Sequence, residues 1–198
     1  MVKQLDEMSF EELGRLFPII LSEHDPAWAG LYVAERNRIE QAAGRENIVR
    51  ISHYGSTSVP GLVAKPTIAI LLEIRDGTDT AALIKNLTGI GYLYDPQPCD
   101  YPPHMMFMKG YTPRGFEGQA YHIHVRYSGD WDELVFRDYL IAHPETAKEY
   151  AKVKNRLREK FEFDREAYTR GKSEFILTIM QKARGSGKEV KRSKAGSD

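Results

Sequence analysis

The chain has 198 residues, and its 28 Lys plus Arg balance 28 Asp plus Glu. It is long enough to bury a core of its own, and it has no global basic field to draw in nucleic acid. One cysteine, Cys99, rules out an internal disulfide. MVKQLDEMSF has no signal-peptide core and no apolar run reaches membrane-spanning length, so the expected setting is the cytoplasm.

Residues up to about Leu21 read as helical, and Pro26 opens a second helix that ends at Gly44. NIVRISHY follows as a strand, with Ile48, Arg50, Ser52 and Tyr54 on one face and Val49, Ile51 and His53 on the other. PTIAILLEI is a second strand. Ile68, Ile70, Leu72 and Ile74 make a complete aliphatic face, opposite Thr67, Ala69, Leu71 and Glu73. A helix is expected over residues 78–88, then two strands in HMMFMKG and QAYHIHVRY. After Gly129 the pattern turns helical, over residues 131–142, 144–161 and 165–183, with REKFEFDRE as a solvated charged connection. The expected class is α+β (α/β in a loose sense), a mixed sheet with flanking helices and a helical C-terminal half. One domain is expected over residues 1–184, its sheet-rich core at about 45–128 and its helical part at about 130–184. Residues 185–198 read as a disordered basic tail.

The strongest candidate site is the turn after the first strand. Gly55 permits a tight bend, and Ser56, Thr57 and Ser58 place three hydroxyls beside backbone N–H groups that favour an anion. Lys65 follows as a point charge for a phosphate, and residues 47–72 contain no Asp or Glu to repel one. A plain capping turn with a solvent-facing lysine accounts for the same residues about equally well. In QAYHIHVRY the alternation puts His122, His124 and Arg126 on one face, which suits contact with phosphate or a carboxylate. An H-x-H pair supplies two ligands, too few to define a zinc site. Lys172 falls on a stripe with Tyr168, Phe175 and Ile176, so it either reaches a cleft or snorkels outward. Arg137 has the same two options, beside Glu133 and Asp138 on its helix.

ISHYGSTSVPGLVAKPTIAILLEI closely resembles the signature segment of the GrpB family, also called UPF0157. HDPAW, YHIHVR, FRDYLIAHPETAKEYAKVK and YTRGKSEFI extend the likeness over roughly residues 23–183, Lys172 included. The resemblance implies a nucleotidyltransferase-like fold, in which a Gly-Ser turn holds a nucleotide's triphosphate and acids on the next strand hold divalent metal. Some relatives are fused to dephospho-CoA kinase, which brings CoA precursors into consideration as ligands.

The resemblance also implies an aspartate where this chain has Ala69, and Leu71 offers no acid either. Glu73 lies four residues from Ala69, roughly 13 Å along a strand, too far to stand in. Asp95 and Asp100, in the proline-rich segment, are left as distant acids. Mg²⁺ is therefore disfavoured. The expectation is a protein that binds a nucleotide or related phosphate at Gly55–Ser58, without membrane or nucleic-acid partners and without two-metal catalysis. The alternative is a transferase that recruits acids from elsewhere in the fold.

Overall fold

The computed structural model describes residues 3–96 and 103–193; Cys99 and Asp100 lie outside them. Helix α1 (Phe10–Leu16) starts at Ser9, which exchanges capping hydrogen bonds with Glu12. It stops five residues short of the expected end, because Pro18 disfavours helical backbone at Phe17. Pro26 then precedes α2 (Ala27–Ala43), which crosses one face of the sheet.

The sheet has five strands: β1 (Ile48–Tyr54), β2 (Thr67–Ile74), β3 (Leu93–Pro96), β4 (Met105–Thr112) and β5 (Gly115–Tyr127). Their order is β1-β2-β5-β4-β3; β2 and β5 run parallel and the other pairs antiparallel. The aliphatic face of β2 joins Phe107, Ile123 and Val125 in the main core, beneath α2 and α3 (Thr80–Gly89). Burial of that face contributes on the order of 2 kcal/mol for each large side chain. The Asp79 carboxylate caps α3 by accepting from the N–H groups of Ala81 and Ala82, both at 3.0 Å. Asp79→Ala should cost about 1 kcal/mol in urea unfolding, with α3 still formed.

Strand β3 is not foreseen in the sequence. It pairs along four residues with the edge of β4, and Asp95 stands on it opposite Met106.

Helices α4 (Asp132–Ala142), α5 (Pro144–Phe161), α6 (Arg165–Arg170) and α7 (Ser173–Ser193) form the helical half. The single helix expected over 165–183 is broken at Gly171, where an added Cβ would lie 2.5 Å from Leu157 Cδ2. Helix α7 runs on past Gly185, where a disordered tail is expected. The segment KEVKR carries good helix formers that offset the two glycines before it. A second apolar cluster ties this half to the segment after β1: Val59 and Leu62 pack with Leu140, Ala147 and Tyr150. Among the described residues no helix is long and apolar enough to cross a membrane.

Candidate functional site

Gly55 turns the chain at the end of β1 with φ +72°, the left-handed region open to glycine, and the next three residues form one tight helical turn. A Cβ at Gly55 would come within 3.3 Å of Ala69 Cβ, so the bend packs directly on β2. Each hydroxyl of the turn already has a protein partner. Thr57 Oγ1 lies 2.9 Å from His53 Nε2 and donates to the Thr67 carbonyl. Ser58 Oγ donates to the Gly55 carbonyl at 2.6 Å, and Ser56 Oγ accepts from Lys154 Nζ at 2.9 Å. The hydroxyls therefore brace the turn, and the free positive charge stands behind it.

That charge comes from four side chains. Lys154, on α5, is only 3% exposed and also donates to the Val63 carbonyl. Lys65, in the loop before β2, and Lys172, at the α6–α7 break, lie 5.7 and 4.8 Å from the centre of the Tyr168 ring. Arg165, the first residue of α6, donates to the Phe17 carbonyl and to Tyr111 Oη. Among the described residues no ion pair joins a carboxylate to any of the four. Burial, with repulsion from Arg165 and the other two lysines, brings Lys65 down to about 7. Burial and Lys172 bring Lys154 to about 7, and burial alone brings Lys172 to about 8. A mainly apolar cavity of about 200 Å³ opens beside Lys65 and Arg165, walled by Pro18, Ile20, Phe116 and Gln119.

The polar strand face is real, but it divides in two. His122 and Ala69 share a rung with Tyr54, His124 and Leu71 with Ser52, and Arg126 and Glu73 with Arg50. At the first rung Tyr111 Oη accepts from Arg165 and lies 2.8 Å from His122 Nε2, which leaves its own proton for a neutral imidazole. Burial, then the charge of Lys65, holds His122 well below its ordinary pKa. His124, edge-on to Tyr54 at 5.8 Å, is lowered to about 4 by burial and the charge of Arg126. Arg126 sits over Trp131 at 5.9 Å, four residues and roughly 13 Å from the His122 rung. Arg137 is fastened elsewhere: it donates to the His53 carbonyl at 2.8 Å and pairs with Asp138. His53 stacks on Tyr32 and is lowered to about 4 by burial and the Arg137 charge. The structure thus brings Lys65, His122 and Lys172 to one end of the cleft and leaves Arg126 and Arg137 apart.

The carboxylate question has a structural answer on β2. Glu73 is fully buried, paired with Arg50 and accepting from the Gly129 N–H at 3.1 Å, so it is committed to the sheet. Ala69 and Leu71 supply no ligand, and Asp95 stands on the far edge strand. Among the described residues no group of three His, Cys, Asp or Glu is placed to hold a metal ion. Lys154 and Arg165 are absent from the sequence expectations. Lys154 falls three and four residues after Ala151 and Tyr150 on the buried stripe of α5, the same signal that singles out Lys172. Arg165 lies in the segment read as a solvated connection, but that segment packs on the N-terminal strap through Ile19 N–H and the Glu162 carbonyl.

A family model described as GrpB protein matches residues 18–182. The chain belongs to the GrpB family. A UPF0157 protein of Pseudomonas aeruginosa is 41% identical over 160 residues, 80% of this chain and 65% of that protein's length. A UPF0157 protein of Halalkalibacterium halodurans is 32% identical over 183 residues, covering 90% of this chain and 91% of its own. The crystal structure of the conserved protein GrpB from Enterococcus faecalis superposes with a TM-score of 0.71 at 29% identity, covering 83% of this chain and 96% of that one. The GrpB relationship agrees with the motifs that carry the resemblance in the sequence, and with the mixed α+β architecture.

Proposed function

We propose that this GrpB protein binds a small phosphate-bearing ligand, a nucleotide or a related phosphate, between the His122 end of the strand face and the helical half. Lys65, Lys154, Lys172 and Arg165 hold the anion, the turn at Gly55–Ser58 positions Lys154, and no two-metal transfer takes place. The observation that carries this reading is the grouping of one buried lysine, two half-buried lysines and an arginine, with no carboxylate among the described residues paired to them. Like charges brought together under a helical cap cost stability, and a bound dianion would offset that cost. The relation to nucleotidyltransferases belongs to this proposal as well, and what supports it is the Gly-Ser turn that follows β1 and packs on β2.

The test is a thermal-shift panel of inorganic phosphate, pyrophosphate, nucleotides and CoA precursors, each with and without Mg²⁺. A ligand at about a hundred times its Kd should add roughly 2.7 kcal/mol. The shift should be indifferent to Mg²⁺, and the Lys65→Met and Lys172→Met variants should lose it while remaining folded. A shift that needs Mg²⁺ would point to acids recruited from elsewhere. No shift with any anion would overturn the reading.

A further inference from the structure

The cavity beside Lys65 is lined by that lysine and Arg165 but not by Lys154 or Lys172, and much of the rest of its wall is apolar. We infer that it seats the organic half of the ligand and takes a flat heterocycle bearing an N–H donor, an aminopurine or an aminopyrimidine. This rests on the phosphate reading above for the direction from which the ligand enters.

Lys65 and Arg165 line the cavity together with Pro18, Ile20 and Phe116. Its volume of about 200 Å³ suits one heterocycle rather than a whole nucleotide, so the sugar and phosphate must lie outside, towards the cations. Phe116 is 40% exposed and presents a ring against which a planar group can stack.

The polar feature is Gln119. Its Nε2 donates to the Pro66 carbonyl at 2.8 Å and to the Ala120 carbonyl at 3.0 Å. Both amide protons are therefore committed, the orientation of the amide follows from those bonds, and Oε1 remains as an acceptor only. The cations on the cavity, Lys65 and Arg165, offer only donors, so the Gln119 acceptor beside them selects a donor on the guest, such as an exocyclic amine on a flat ring. An alkyl chain would make no use of it.

The test measures binding of inorganic phosphate, ribose 5-phosphate, adenosine 5′-monophosphate, purine riboside 5′-monophosphate and adenosine to the full chain by calorimetry and NMR. The adenosine nucleotide should bind about tenfold or more tightly than ribose 5-phosphate. The purine riboside analogue, which has no N–H donor on its ring, should lose part of that margin. Phe116→Ala should abolish the margin and leave ribose 5-phosphate binding unchanged. Phe116 also packs on Phe17 and Tyr111, at 5.1 and 5.2 Å, so Ile20→Ala provides a second variant on the cavity lining. Equal affinity for the nucleotide and ribose 5-phosphate, or a margin that survives both variants, would overturn the assignment. If no phosphate compound binds but adenosine still shifts the resonances of Phe116, the cavity assignment stands and the phosphate reading falls. If adenosine also leaves Phe116 unmoved, the assignment falls with it.

Discussion

In phosphate-free buffer this protein should become more stable as the pH rises from about 7 to about 9, a range over which a carboxylate-stabilised fold would show no slope. The sign follows from the lysines. Unfolded, each holds its proton up to about 10.4, whereas in the fold Lys65 and Lys154 release it near 7 and Lys172 near 8. Between those values the unfolded chain binds more protons, so stability climbs with pH. The three titrate as a coupled set, and the expected rise is a few kcal/mol in all.

The histidines extend the same slope to lower pH. His53 and His124, both lowered to about 4, stay neutral in the fold below the pH at which the unfolded chain takes up protons. Well above pH 9 the slope reverses, because burial raises the phenols of Tyr54, Tyr150 and Tyr168 and the fold then holds protons that the unfolded chain has lost. Inorganic phosphate, compared with chloride at matched ionic strength, should stabilise most near neutral pH and least near pH 9, flattening the climb. Urea unfolding across that range checks both statements. A flat profile without phosphate would mean that the lysines keep ordinary pKa values and are hydrated.

Gly110→Ala should be among the most damaging single substitutions in the sheet, at about 3 kcal/mol. Gly110 has φ +87°, and a Cβ there would lie 2.8 Å from the Gln119 carbonyl and 3.0 Å from Ala120 Cα, which are backbone atoms that cannot swing aside. It sits where the β4–β5 register breaks, between Lys109 opposite Tyr121 and Tyr111 opposite Phe116. Gly118 is the control. It also has a positive φ, +68°, but its Cβ would meet nothing within 4 Å, so Gly118→Ala should cost only the backbone part, about 1 kcal/mol. Denaturant midpoints of the two variants separate steric conflict from conformational preference. The break also aims Tyr111 at His122 and carries Gln119 to the cavity wall, so Gly110→Ala should weaken phosphate binding in whatever fraction still folds.

Where one side chain period decides burial, the fold was legible in the sequence. The aliphatic face of β2 and the polar face of β5 are alternations of period two, and pairing in parallel register puts Ala69 beside His122 as the pattern requires. The breaks were harder to read. The end of α1 is set by Pro18 acting on Phe17, and the α6–α7 break by the close approach of Leu157 to Gly171. The first is a local effect of one proline on its neighbour, whereas the second is visible only once α5 is in place. The site itself was half legible. Lys172 and Lys65 stood out, but the lysine that touches the turn lies 98 residues from Ser56, and no spacing rule connects positions that far apart. The hydroxyls of the glycine-hydroxyl motif, read as facing an anion, serve the turn itself.

Lys154 fastens the helical half to the turn through two acceptors, Ser56 Oγ and the Val63 carbonyl. A neutral amine carries two hydrogens and an ammonium three. The two contacts can therefore survive deprotonation, and the clasp between the halves is the same on either side of neutrality. What changes is the remainder: only the ammonium has a hydrogen left over to offer a guest. The residue is a hinge pin in one protonation state, and a hinge pin with a spare hand in the other.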